Sequence, residues 1–370
     1  SSSSSSSYLS STSSFSSSEQ HRNSSISSTT VSLALSLFCF PLHLFFSHLY
    51  YTDVGSLCFV LATYLFALRS QHLLASLCGA FAILFRQPNV VWVGFVAAEA
   101  LLHLAQLDYR QTHKPTRLVS ASTAYSSLWQ EICALVTFLS DLPRLFRGVI
   151  RPFAPYLLLM LGFLAFGVYN GGLAVGDKEA HAVALHIPQV FYFVLFCMLA
   201  LLPEALAQSR RTSSLLSELY QQVRRSPLLQ VSLLLLGVLA ALAVHYLTYE
   251  HAYLLADNRH LPFYVWRRCF RGYPLNLRYA LVPVYVLGVA LLSALLQRST
   301  RRGGAGRSAL WVLLFWLATA AVLVPASLLE FRYFTVPFFL IILQLTAPTR
   351  RALLCRTLAY ATVSALSVAV

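Results

Sequence analysis

The chain repeatedly runs apolar for the distance that a lipid bilayer requires. A helix crossing the hydrocarbon core, about 30 Å thick, needs about 20 mostly apolar residues. No water is available there, so every backbone group must be satisfied inside the helix. Segments of this character lie at residues 31–48, 54–69, 72–86, 88–104, 152–169, 183–203, 228–247, 279–297, 309–329, 334–348 and 353–370. They predict an all-α polytopic membrane protein with about 11 transmembrane helices, folded as one domain over 31–370. The 72–86 and 334–348 segments are short and fit tilted or partly re-entrant helices. Pro41, Pro188 and Pro337 fall inside segments, where neighbouring helices are expected to satisfy the backbone groups they free. Residues 1–30 are mostly Ser. They cannot build a core and are expected to form a disordered tail.

Charge then sets the orientation. The net charge is +14, but Lys and Arg occur in short runs between apolar segments. That pattern points to membrane topology and anionic headgroups, not to nucleic acid. Counting segments alternately puts the basic loops 105–151, 204–227 and 298–308 on one side, which the positive-inside rule makes cytosolic. Within them Leu128, Ile132, Leu135, Val136 and Leu139 share a helix face, as do Leu215, Leu216, Leu219, Tyr220 and Val223. Both sets predict amphipathic helices lying on the membrane. The seven Cys include no C-x-x-C, so neither a disulfide framework nor a zinc site is expected. The chain also lacks H-E-x-x-H and the Gly-rich nucleotide motifs. No metal is expected, and any donor is more naturally lipid-borne than nucleotide-borne.

The same count gathers "YYTD" (50–53), "RQPN" (86–89), "GDKEAH" (176–181), "HAYLLADNRH" (251–260) and "EFRYF" (330–334) on the opposite face. One loop there breaks the charge rule. Residues 248–278 carry Arg259, Arg267, Arg268, Arg271 and Arg278 yet fall on the non-cytosolic side, which makes the loop a candidate anion site. Arginines of this kind suit a phosphate at headgroup depth, and Phe263, Tyr264 and Trp266 suit an acyl boundary or a sugar face. Each motif also has a plainer reading. Asp53 fits a helix N-cap, with Thr52 as a substitute. Arg86 and Pro88 fit a turn, and Glu330 with Arg332 fits a local ion pair. His186 and Gln189, flanking Pro188, fit the repair of a broken helix.

"YYTDVGS", "FRQPNVVWV", "LHIPQVFYF", "YLLADNRHLPFYVWRR" and "EFRYFTVPF" follow one another from about residue 47 to 345. Together they resemble the endoplasmic-reticulum alpha-1,2-glucosyltransferases that use dolichyl-phosphate glucose. The resemblance implies a multi-pass protein of the endoplasmic reticulum membrane with a multispanning (C-type) glycosyltransferase architecture. The implied reaction is an inverting, luminal transfer of the terminal glucose from dolichyl-phosphate glucose to a dolichyl-diphosphate-linked oligosaccharide, for protein N-glycosylation. Its implied partners are that donor, that acceptor and membrane lipids, with no cofactor.

Such a transfer needs a carboxylate to take the acceptor hydroxyl's proton and cations to stabilise the departing phosphate. Members of the family carry an acidic "MDE"-type motif in a luminal loop after a first span, the expected home of the base. Glu19 is the only acid in residues 1–30. The resemblance therefore implies a chain incomplete at its N-terminus, with Asp53 the nearest acid to offer as base. Arg259, His260 and Arg332 are the phosphate-side candidates. Asp257 and Glu330 are expected to orient those arginines or bind sugar hydroxyls. Arg86, His186, Gln189, Asn258 and Trp266 complete the expected substrate-binding set. Two other readings stand beside this one: a transporter or channel-associated membrane protein, and an inactive fragment of the same family. A transporter is expected to show internal repeats with polar breaks near mid-membrane, and no convincing repeat is visible.

Overall fold

A computed structural model of the chain describes residues 30–49, 51–112, 128–140, 150–172, 184–249, 263–264, 266–270, 277–298, 307–345 and 348–369. Among them every regular element is helical. The first apolar segment forms two helices, α1 (Thr30–Phe38) and α2 (Pro41–Ser47), bent by 63°. Pro41 causes the break: it cannot donate to a preceding helix but suits the first turn of a new one. Next come α3 (Asp53–Leu68), α4 (His72–Phe85) and α5 (Asn89–Thr112). They are followed by α6 (Leu128–Ser140), α7 (Arg151–Tyr169), α8 (Pro188–Ala207), α9 (Ser209–Arg225) and α10 (Pro227–Tyr246). A short turn, Leu277–Ala280, leads into α11 (Val282–Arg298). The last helices are α12 (Ala309–Leu323), α13 (Thr335–Gln344) and α14 (Arg350–Ala369).

The apolar helices divide into long and short. Asn89–Asp108, Arg151–Tyr169, Pro188–Ala207, Pro227–Tyr246 and Leu277–Arg298 are long and apolar enough to cross a membrane, and α1 with α2 makes a sixth if the bent pair acts as one. The α3, α4 and α12 helices are apolar but shorter. Two predicted segments are trimmed at the same place. The 183–203 segment becomes helical only at Pro188, and the 309–329 segment stops at Leu323. Between these two ends the chain is non-helical and paired: Ala184 N–H donates to Pro325 O at 3.2 Å and His186 N–H to Val324 O at 2.9 Å. Both predicted amphipathic helices are present, as α6 and α9.

One contiguous apolar core runs from Phe40 to Tyr360. Aromatic rings fill its centre: Phe40 stacks on Phe338 at 4.8 Å and meets Tyr360 edge-on at 5.3 Å. The outward faces are also apolar, with Leu158, Leu161, Leu164, Val168 and Leu234 all exposed. Helices apolar on the outside as well as the inside need lipid around them.

Candidate active site

Three motifs that lie far apart in the sequence meet at one end of the bundle. Asp53 opens α3, Arg86 directly follows α4, and Glu330 with Arg332 lies just ahead of α13. Arg86 donates through Nη1 to Asp53 Oδ1, and Arg332 donates through Nε to Glu330 Oε2. The second oxygen of Asp53 lies 3.7 Å from Arg332 Nη1, is buried and accepts no hydrogen bond. Two guanidiniums and two carboxylates thus alternate in one cluster. Rings flank it: Arg332 lies 5.0 Å from the centre of Tyr51 and 5.6 Å from Tyr333, and Arg86 lies 5.3 Å from Tyr333. The cations are held by aromatic faces as well as by charge.

Local packing places these groups. Gly55, one turn into α3, lets α4 approach closely: a Cβ there would stand 2.6 Å from Phe85 Cε1. Arg86 is the next residue, so that approach puts its side chain beside Asp53. Asn89 then ties three helices together, donating to Ser56 Oγ and to Ala82 O, each at 2.7 Å. The turn predicted for Arg86–Pro88 is there, joining α4 to α5. Asp53 is not an N-cap. It sits in the first helical turn, and Thr52 makes no side-chain cap.

His186 and Gln189 are completely buried. Gln189 Nε2 donates to Ala326 O at 2.5 Å and Leu328 O at 3.1 Å, and it lies 3.3 Å from His186 Nδ1. Gln189 thereby grips the non-helical chain leading to Glu330 and Arg332. Burial pushes the His186 pKa down to about 4, and the adjacent backbone of Ser327 and Ala326 offsets only part of that shift. The native state therefore holds the ring neutral, whereas an unfolded histidine titrates near 6.5. This depressed pKa contributes stability that is complete above about pH 6.5 and is lost as pH falls toward 4. The loss should reach roughly 3 kcal/mol. Thermal unfolding of the detergent-solubilised chain across that range should show the decline, and His186→Gln should flatten it. An equally steep decline in the variant would remove His186 as its source.

Trp266 is buried in the core, while its neighbours Arg267 and Arg268 are exposed and lie over Phe263 and Tyr264. Asp257, Asn258, Arg259 and His260 lie outside the described residues.

A second polar cluster went unrecognised in the sequence. Arg307 Nη1 pairs with Glu99 Oε1 at 2.8 Å, and its other nitrogens donate to Gln344 Oε1 at 2.9 and 2.6 Å and to Tyr64 Oη at 3.0 Å. Gln344 Nε2 donates to Tyr64 Oη at 2.7 Å, and Tyr64 donates to Glu99 at 3.1 Å. Tyr64 lies 11 residues along α3 from Asp53, or about 16 Å. The network therefore closes the opposite end of the same helices. Other acids are also satisfied. Arg356 pairs with Glu204 at 2.6 Å, and Glu131 accepts from the backbone N–H groups of Ala309 and Leu310 at 3.3 and 2.8 Å. An acid in the middle of the 88–104 segment was the available signal, because charge inside an apolar span is costly.

Long apolar helices, lipid-facing surfaces and a polar cluster at the helix ends define a multi-pass helical membrane protein with a charged site at one end of its bundle. The chain belongs to the DIE2/ALG10 family, which it matches over residues 4–343. It is 34% identical over 353 residues to a Dol-P-Glc:Glc(2)Man(9)GlcNAc(2)-PP-Dol alpha-1,2-glucosyltransferase of Arabidopsis thaliana, covering 86% of this chain. Relatives of the same name in Mus musculus and Homo sapiens are 35% and 33% identical, each over 89% of this chain. The chain spans 66% of the length of each of these three relatives. No solved structure matches it.

Proposed function

We propose that this chain carries the transfer site of an alpha-1,2-glucosyltransferase. On this reading it moves glucose from dolichyl-phosphate glucose to the dolichyl-diphosphate-linked oligosaccharide used for N-glycosylation. The supporting observation is the convergence of "YYTD", "RQPN" and "EFRYF" on one cluster in which Asp53 stands between Arg86 and Arg332. In the proposed step the acceptor's 2-hydroxyl oxygen attacks the anomeric carbon from the face opposite the phosphate. The bond from that carbon to the phosphate oxygen breaks, and its electron pair leaves with the phosphate, so the configuration inverts. The proton goes to Asp53 Oδ2, the carboxylate oxygen that accepts no hydrogen bond. Arg332, together with Arg259 and His260, meets the growing phosphate charge, while Arg86 holds Asp53. Glu330 and Asp257 orient the arginines or bind sugar hydroxyls. Asn258 and Trp266 complete the substrate wall. Gln189 belongs to the same site through the chain it grips, with His186 beside it.

The reaction so read uses no cofactor. It takes place at the luminal face of the endoplasmic reticulum membrane, in a C-type architecture of about 11 spans formed by residues 31–370 as one domain. In that arrangement the short helices cross the membrane along with the long ones. The test is expression in cells that lack this glucosylation step. The lipid-linked glycan should grow by one hexose. If a full-length relative restores the glucose and this chain does not, the fragment reading replaces this one.

A further inference from the structure

Two sets of arginines in the described structure differ in their partners. Arg86, Arg298, Arg307, Arg332 and Arg356 each meet a carboxylate. Arg267, Arg268 and Arg278 meet none among the described residues. Arg267 and Arg268 each lie 5.8 Å from the centre of an aromatic ring, Phe263 and Tyr264 respectively. Arg278 lies 4.9 Å from the centre of the Tyr279 ring, donates to Tyr279 Oη at 3.2 Å, and has a buried Nε without a hydrogen-bond partner. The Trp266–Phe270 turn packs against Leu277–Ala280, so these cations share one corner of the fold.

That corner stands at the mouth of an apolar groove. Helices α9, α10 and α11 enclose about 720 Å³, with Leu219, Leu234, Gly237, Val238, Val282 and Val286 in its walls. On α10 the lining ends at Ala241, and on α11 it begins at Val282. One helical turn beyond these limits stand His245 and the Arg278–Tyr279 pair. His245 Nδ1 and Tyr279 Oη meet at 2.7 Å and bridge the two walls. An uncharged, elongated slot thus opens onto cations that no carboxylate among the described residues neutralises.

We propose that this groove and its arginines hold the polyprenyl diphosphate of the acceptor lipid. The inference rests on the glucosyl-transfer reading, which involves two lipid-borne substrates. The donor must present its phosphate at the reacting carbon. The acceptor reacts at its outermost sugar, so its diphosphate must be anchored away from the reaction centre. The mouth cations are separate from the ion-paired cluster: among the described residues no hydrogen bond or ion pair joins Arg267, Arg268 or Arg278 to Asp53, Arg86, Glu330 or Arg332. Its charge also fits. A sugar-linked diphosphate carries two negative charges, and guanidinium forks suit its oxygens. The tail requires only an apolar slot, and among the groove's lining residues only Tyr220 carries a polar group.

The test uses the chain in nanodiscs and a photoreactive, sugar-free polyprenyl diphosphate. Label should map to α10 and α11. Unlabelled polyprenyl diphosphate should compete at least tenfold better than polyprenyl monophosphate, and phosphatidylserine should not compete. Arg278→Gln and Gly237→Leu should each cut labelling at least tenfold, the first by removing charge and the second by filling the slot. A Cβ at Gly237 makes only an ordinary 3.8 Å contact with Val286, so the second variant tests the slot without clashing in the core. In the transfer assay Arg278→Gln should raise the acceptor KM at least tenfold and leave the donor KM unchanged. Label elsewhere, equal competition by the monophosphate or by phosphatidylserine, or no effect of either variant overturns the proposal. Because labelling needs no turnover, specific labelling without transfer would instead overturn the functional reading and leave the groove assignment standing.

Discussion

Arg332→Gln is expected to lower glucosyl transfer by about 10²–10³-fold, the range seen when a preorganised group facing developing charge is removed. The expectation follows from where the guanidinium is held. It bonds Glu330, faces Asp53 at 3.7 Å and lies against the Tyr51 and Tyr333 rings, so its position is fixed before substrate arrives. Arg332→Lys keeps the charge but loses the fork that reaches two partners at once, and should fall between the variant and the parent. The readout is kcat with dolichyl-phosphate glucose, on protein verified to insert and fold. Activity of Arg332→Gln within threefold of the parent would remove Arg332 from the phosphate role.

Arg307→Leu should destabilise the fold by about 3–5 kcal/mol, because it strands Glu99 as a buried charge without its cation. Glu99 is only 6% exposed, and Oε2 already lacks a hydrogen-bond partner. The double variant Glu99→Leu/Arg307→Leu should recover most of the loss, since replacing both members of a buried pair by apolar groups is often nearly neutral. Thermal unfolding midpoints in detergent provide the comparison. Equal midpoints for the single and double variants would mean that the pair does not couple. The network lies about 16 Å along α3 from Asp53, so the recovered double variant should also recover transfer.

Much of this was legible from apolar patterning, and the reasons differ by element. The α5, α7, α8, α10 and α11 helices were readable because bilayer-length apolar runs admit few other structures. The α9 helix was readable because Leu215 and Leu219 recur on one face. The trimmed ends of α8 and α12 were not, because the pairing of His186 N–H with Val324 O joins residues 138 positions apart, and hydropathy does not report such contacts. The face count did collect Asp53, Arg86, Glu330 and Arg332, but it could not supply the alternation of charge that the packing at Gly55 produces. His186 and Gln189 are substrate candidates by sequence; in the fold Gln189 Nε2 engages the backbone of Ala326 and Leu328, a contact 137 and 139 positions away that no local window shows. Arg307 was counted only as a loop charge, and its partners come from α3, α5 and α13, which no local window combines. Tyr51 and Tyr333 lie inside the YYTD and EFRYF motifs, but flanking rings acquire a role only once the cations are in place.

The unequal helix lengths have a consequence for the membrane itself. The α3, α4 and α12 helices have 16, 14 and 15 residues, or about 24, 21 and 22 Å, against a hydrocarbon thickness of about 30 Å. If these helices span the bilayer, they fall short of it by several ångströms, while α8 and α10, with 20 residues each, do not. Lipid must thin around the short side to cover it, and the cluster at the start of α3 then lies in a dimple below the surrounding headgroups. A phosphate riding at headgroup level would be lowered toward Arg332 without leaving its lipid neighbours, and a bulky glycan would reach the same depth through water. On this view bilayer thickness sets how deep the dimple is, and the protein is suited to a thin membrane.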